Sequence, residues 1–292
     1  MHRKDFIRLI TGATIMTTLS AFNRFTSELE EQGRLMPALF VGHGSPMNGI
    51  EDNEVSQRWK KMAREIPEPA AVLVISAHWQ SKGTRITAMN FPKTIHDFGG
   101  FPKALYDVQY PAPGSPPLAV QTQSIIKSAH VELDHDWGLD HGAWTIIRHM
   151  YPKADIPVLQ LSMDYTKGPQ YHYDLAKELY ELRKKGVLIV GSGNMVHNLG
   201  MIAWDKMNVD GYGYDWALKM NDTFKQLISE GNHKSLINSD RLGIEAKMAI
   251  PTPEHYLPLL YTLGVKDSKD SVSFFNDKAV GGSLTMTSVK FG

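Results

Sequence analysis

Residues 71–79 read AVLVISAHW, and this stretch decides the fold. An unbroken apolar run, rich in β-branched residues, with Pro69 before it and polar His78 after it, predicts a short strand buried on both faces. Working outward, residues 37–42 (PALFVG), 157–162 (PVLQLS) and 187–192 (VLIVGS) repeat the pattern, each bounded by Pro, Gly or polar residues. Between them the spacing predicts helices over 55–64, 117–128, 142–150 and 171–185. That alternation predicts an α/β fold: a single domain over residues 36–292, with a central, mostly parallel or mixed sheet flanked by helices. Residues 283–289 (SLTMTSV) alternate with period two and suit a final edge strand. Residues 91–117, dense in Pro and Gly, read as a long loop, and long ordered loops in compact domains are often functional.

Composition narrows the chemistry. The chain has 292 residues, no cysteine, zero formal charge and twelve histidines. Without cysteine there are no disulfides, thiolate metal sites or cysteine nucleophiles, so a bound metal must use nitrogen and oxygen. No basic stretch alternates with aromatics, which argues against nucleic acid. There is no Walker loop, no G-x-G-x-x-G after a strand and no G-x-S-x-G.

The histidines carry the functional reading. The strand at 37–42 runs into His43, flanked by Gly42 and Gly44; the strand at 71–77 runs into His78; the strand ending at Ser192 leads through Gly193 and Asn194 to His197. Ligands of open α/β sheets bind just beyond the carboxyl ends of strands, so these imidazoles can share one site. Residues 252–255 (TPEH) are expected to open a helix, with Thr252 as N-cap and Pro253 at N1. His255 would then sit in its first turn, where the helix dipole keeps the ring neutral. Glu254 is its neighbour, either a ligand or a capping carboxylate. His141 follows Asp140, which either polarises it for acid–base work or simply caps the next helix. His96 lies in the long loop, placed to contact substrate. His2, His130, His135, His149, His172 and His233 read as surface or structural.

Taken together, residues 36–48 (MPALFVGHGSPMN), 76–79 (SAHW), 96–102 (HDFGGFP), 110–116 (YPAPGSP), 139–144 (LDHGAW), 191–198 (GSGNMVHN) and 251–258 (PTPEHYLP) resemble the LigB-type (class III) extradiol ring-cleaving dioxygenases, closest to the 4,5-DOPA extradiol dioxygenase subgroup. The resemblance implies an oxidoreductase that opens a catechol such as DOPA beside its diol, inserting both atoms of O₂. It implies one divalent metal ion, iron(II) for activity or zinc(II) as bound, on His43, His78, His197 and His255. His141 matches a proton-moving histidine. In the wider superfamily the third ligand is a glutamate and the counterpart of His197 is a base, so His197 and Glu254 stay open. Its partners are a small catecholic substrate and O₂. The rivals are a zinc-dependent hydrolase-like enzyme and a non-enzymatic, Memo-like metal-binding protein.

Residues 1–35 are an N-terminal extension that the resemblance does not cover. Arg3-Lys4-Asp5-Phe6-Ile7 resembles a twin-arginine export signal, while Phe6, Ile7, Ile10 and Ile15 equally suit an amphipathic helix. Residues 28–34 (ELEEQGR) read as a polar linker. The stretch is too short and polar to span a bilayer. A cytoplasmic location is expected, with the periplasm as the alternative.

Overall fold

The computed structural model describes residues 29–292, so the expectations for residues 1–28 lie outside the described residues. Its centre is a six-stranded sheet built from β1 (Ala38–Gly42), β2 (Ala71–Ser76), β3 (Val158–Gln160), β4 (Val187–Gly193), β5 (Val272–Phe275) and β6 (Ser288–Phe291), in the order β5-β6-β1-β4-β2-β3. The β1–β4, β4–β2 and β2–β3 pairs are parallel, whereas β6 runs antiparallel to both β1 and β5. The sheet is therefore mixed. Alternate side chains of the buried strands enter different layers. Leu73, Ile75, Val187 and Ile189 join one core, and Val72, Val74, Leu188 and Val190 join the other. Both faces are apolar because both are covered, which is why the strands read as continuous hydrophobic runs.

The covering helices begin where their caps predict. Asn53 and Ser56 form a capping box at α1 (Glu54–Glu65), Ser115 caps α2 (Pro116–Ile125), and Asp140 caps α3 (His141–Met150). Trp59 and Met62 of α1 and Trp144 and Ile147 of α3 fill one layer. The other layer holds Leu175 and Ala176 of α4 (Pro169–Glu178), Phe224 of α6 (Asp215–Ser229) and Leu259, Leu260 and Leu263 of α7 (Leu257–Gly264).

Two local expectations need correction. Residues 171–185 are not one helix. α4 stops at Glu178 and α5 (Tyr180–Lys184) follows, because at buried Leu179 the hydrogen bonds tighten to three-residue spacing, Leu179 N–H to Ala176 C=O at 2.9 Å and Leu182 N–H to Leu179 C=O at 3.0 Å. Residues 283–289 are not one edge strand either. Leu284–Thr285 pairs with Ala279–Val280, and only the part from Ser288 enters the main sheet, one place in from the edge. The true edge is β5, whose short, half-exposed VSFF gave no clear alternation.

Residues 29–35 have no regular secondary structure and lie along α2 and α5. Leu29 C=O accepts from Gln121 Nε2 (3.2 Å) and Lys185 Nζ (2.7 Å), and Gln32 N–H donates to Lys184 C=O (2.9 Å). No helix among the described residues is long and apolar enough to cross a membrane.

One buried charge ties the ends of the domain together. The Arg183 guanidinium, with no side-chain exposure, donates to Met36 C=O (2.6 Å) before β1, to Val265 C=O (2.6 Å) after α7, and to both oxygens of Asp270 (2.6 and 3.1 Å) before β5. Removing one partner of a buried ion pair leaves the other charge uncompensated. Arg183→Ala is expected to lower unfolding stability by about 3–5 kcal/mol, measured by urea denaturation; a loss below about 1 kcal/mol would mean that water replaces the clamp.

Candidate active site

The register of three adjacent strands builds the site. β4 lies between β1 and β2, with Ser192 opposite both Val41 and Ser76. One step further, His43 N–H donates to Gly193 C=O (3.2 Å) and Ala77 N–H to Ser192 C=O (2.9 Å). His43 and His78 thus leave the sheet at similar height on either side of β4, with backbones roughly 10 Å apart at two strand spacings. Their side chains close that gap across the end of β4, bringing Nε2 to Nε2 at 3.1 Å.

His255 arrives from the side. Asn194 N–H donates to its carbonyl (2.9 Å), so the segment before α7 lies across the end of β4. That approach requires Gly193, because a Cβ there would stand 2.1 Å from the His255 oxygen. The expected helix start is thereby corrected. Residues 253–256 form a turn, with Tyr256 and Leu257 N–H donating to Pro253 C=O (3.0 and 2.9 Å), and α7 begins only at Leu257. Thr252 does not cap it; its hydroxyl goes to Glu254 (2.8 Å). Glu254, not a helix dipole, sets His255: Oε1 lies 3.2 Å from Nδ1.

Hydrogen bonds assign the tautomers. Ser192 Oγ donates its one proton to Gly142 C=O (2.6 Å), so it must accept from His43 Nδ1 (2.9 Å), which leaves His43 Nε2 as a bare lone pair. Glu254 likewise takes the Nδ1 proton of His255 and turns its Nε2 lone pair outward. His78 Nδ1 lies 3.5 Å from Asp97 Oδ2, too far for a good hydrogen bond. Buried polar atoms facing each other without a proton or cation between them repel, so this is the donor set of a cation site.

Ring geometry agrees. The centres of His43, His78 and His255 are 5.0, 5.3 and 5.2 Å apart, and the rings are splayed by 56°, 47° and 87°. Three imidazoles sharing one ion through nitrogens at about 2.1 Å, with angles of about 90–109°, space their centres roughly 4.5–5.3 Å apart. Two more histidines flank this triangle. His197 lies face to face with His255 at 3.5 Å and 8°, and His141 lies against His78 at 3.9 Å. Both spacings are tighter than two rings on one ion adopt. The donor atoms form two adjoining groups, His43–His78–His141 and His197–Glu254–His255, each within 4.8 Å.

Of the two roles open to Asp140, the helix cap is the one found, and it does not touch the His141 ring. Asp140 caps α3 through Ala143 N–H (3.0 Å) and otherwise bonds Ser76 Oγ and Gln160 Nε2 (both 2.7 Å). The carboxylate on the ring is Asp97, at 3.0 Å from Nδ1 and 2.9 Å from the backbone nitrogen. Asp97 was missed because it sits in an irregular loop; the signal was its place within HDFGGFP, beside aromatics. His96 does not join the cluster. Its Nε2 faces Val108 C=O (3.0 Å), and its ring packs on Phe98, Tyr106 and Trp144. Phe98, in contrast, meets His141 edge-on at 5.6 Å. His149, His172 and His233 bond Asn48 C=O, Tyr261 and Tyr173, and His130 and His135 are exposed, as expected of structural and surface residues.

Electrostatics keep His43, His78, His197 and His255 neutral. Burial and repulsion from neighbouring histidines hold His43 well below the usual range, push His78 down to about 2 and His197 to about 3. Burial also lowers His255, with Glu254 opposing it. Burial alone would raise Glu254, but hydrogen bonds from His255, a backbone N–H and Thr252 outweigh it and bring the carboxyl to about 2. At neutral pH the site therefore offers unprotonated nitrogens beside ionised carboxylates.

A family profile, the catalytic LigB subunit of aromatic ring-opening dioxygenase, matches residues 37–291. The chain belongs to this family. An Escherichia coli K12 protein named 4,5-DOPA dioxygenase extradiol is 46% identical over 88% of this chain and 95% of its own length, and a Beta vulgaris protein of the same name is 34% identical over 89% and 98%. A crystal structure of an uncharacterized E. coli K12 protein superposes with a TM-score of 0.75 at 40% identity, covering 88% of this chain and all of the other. This LigB-family chain is thus an oxidoreductase of the extradiol ring-cleaving dioxygenase type, and its histidines suit the family's divalent metal. The soft-thiolate metals are excluded, while nitrogen donors suit iron(II) and zinc alike.

Two predictions follow from the geometry. In metal-free protein the depressed histidines bind protons only after unfolding, so stability is full above the unfolded pKa of about 6.5 and is lost as pH falls toward the folded values, by roughly 1.4 kcal/mol per pH unit for each such proton. Urea denaturation between pH 7 and pH 5 reads this, and a pH-independent stability would contradict it. Gly193→Ala should leave the far-ultraviolet circular dichroism unchanged yet reduce metal content at least tenfold, because the new Cβ displaces His255; full metal content would contradict the placement of that turn.

Proposed function

We propose that the enzyme opens a catechol of the DOPA type at the 4,5 bond, beside the diol, with one divalent metal held by His43, His78 and His255. The observation that carries this reading is the triangle of imidazole rings, with centres 5.0–5.3 Å apart, Nε2 of His43 and His78 3.1 Å apart, and Nδ1 of His43 and His255 held by Ser192 and Glu254. The relatives' names support the substrate class. When bound, iron(II) supplies open positions that hold diol and O₂ together and lowers the pKa of the diol.

The chain's own residues do the rest. Ser192 and Glu254 keep His43 and His255 in the ligating tautomer. Phe98 offers an aromatic edge beside His141, where a flat ring can pack. His141 Nε2, free because Nδ1 faces Asp97, takes a diol proton and returns it as the ring opens. Atoms balance with both oxygens of O₂ in one ring-opened product and no external reductant. His197 is either a fourth ligand, after its ring turns off the face of His255, or a second base. Loss of metal from His197→Ala assigns it to the ion; retained metal with slow turnover assigns it to the proton. His96, one aromatic layer away, shapes the loop that faces the substrate.

Protein purified without oxygen, reconstituted with iron(II) or zinc(II) and given catechols in turn, tests the function. Stoichiometric O₂ uptake and a yellow product carrying two labelled oxygens from ¹⁸O₂ are expected with iron and not with zinc; uptake with neither, or hydrolysis with zinc, would overturn the reading. His43→Ala and His78→Ala should each abolish metal content and turnover together. We place the reaction in the cytoplasm; a periplasmic chain lacking residues 1–35, seen by mass spectrometry after fractionation, would move it.

A further inference from the structure

We infer that Asp97 is a positioning residue of the proton-moving histidine, acting through His141 rather than on the metal. This rests on the reading of His141 given above. Asp97 belongs to the loop at 91–117, and its carboxylate meets His141 twice, at the backbone nitrogen (2.9 Å) and at ring Nδ1 (3.0 Å). Two contacts from one planar group fix both the start of α3 and the rotation of the ring. An ionised carboxylate only accepts, so the contact at Nδ1 commits the ring proton to that side and leaves Nε2 as the atom that exchanges a proton.

Its other neighbour sets a limit on this role. Oδ2 also lies 3.5 Å from Nδ1 of His78, longer than a good hydrogen bond and longer than its contact with His141. The carboxylate thus belongs first to His141. His141 and Asp97 are 44 residues apart, so the pair exists only when the loop is docked on α3. Two further contacts dock that loop, Trp144 Nε1 donating to Ile95 C=O (2.8 Å) and Phe98 packing on the ring of His141. The loop is then part of the machinery that readies the site, and not merely a cover over it.

Asp97→Asn keeps the shape and offers an amide that can hold the ring in the other tautomer. The comparison is a double-variant cycle in iron-reconstituted enzyme, reading metal content, anaerobic catechol binding and kcat. Metal content and catechol affinity should change less than about threefold, while kcat falls on the order of 10–10³-fold. In a His141→Phe background the same change should cost less than about twofold, because the residue it acts through is gone. The inference is overturned if Asp97→Asn keeps kcat, if it strips the metal, or if its cost in the His141→Phe background equals its cost alone. His141→Phe at full kcat would sink the role of His141 and this inference with it, whereas a slow His141→Phe beside a fast Asp97→Asn sinks this inference only. If Asp97→Asn does not fold, Asp97→Ala assayed with added formate replaces it; kcat restored by formate at unchanged metal content supports the positioning role, and no restoration contradicts it.

Discussion

Two imidazole nitrogens, on His43 and His78, face each other at 3.1 Å, and the hydrogen bond from His43 to Ser192 leaves the His43 nitrogen as a bare lone pair. The His43 lone pair is met either by a proton on His78 Nε2 or by a cation shared between the rings, and the approach of His255 to within 5.3 Å of both rings suits the cation. The rest of the architecture meets that demand. Parallel pairing of β1, β4 and β2 sets both histidines at one height, and Gly193 admits His255. A Cβ on Gly142 would lie 2.4 Å from Ser76 Oγ and 3.2 Å from Ser192 Oγ, so its absence lets α3 close against the strand ends.

The same arrangement explains why the carboxylates stand behind the rings. Glu254 faces Nδ1 of His255, and Asp97 faces Nδ1 of His141. Each holds a proton on the far nitrogen and turns the near one toward the site. A carboxylate in this position orients and strengthens the imidazole it holds, which would suit a metal-binding nitrogen on His255 and a proton-moving nitrogen on His141. Asp140, fully buried and saturated by Ser76, Gln160 and the α3 backbone, serves the framework instead.

Much of this was legible in the sequence. Strands at 38–42, 71–76, 158–160 and 187–193 stand within two residues of their hydrophobic runs, because burial on both faces leaves an unbroken apolar signature. The strand-end histidines followed from the rule that α/β sheets bind ligands there. What stayed hidden depends on tertiary partners. The TPEH segment has every mark of a helix start, yet the hydrogen bond from Asn194 to His255 holds it as a turn. Asp140 precedes His141 in sequence, but capping turns its carboxylate away, and the partner comes from a loop with no periodicity. Strand β6 read as an edge because its alternation is the same whether or not β5 lies beside it.

The central claim is that a single ion sits among His43, His78 and His255. Anomalous X-ray scattering from crystals of the iron- or zinc-loaded protein, recorded on both sides of the metal edge, tests it most directly. The account predicts one peak per chain, at about 2.0–2.2 Å from Nε2 of each of the three rings, with the Nδ1 atoms of His43 and His255 still on Ser192 and Glu254. A peak centred on His78, His141 and Asp97 instead, or two partly occupied peaks in place of one, would contradict it.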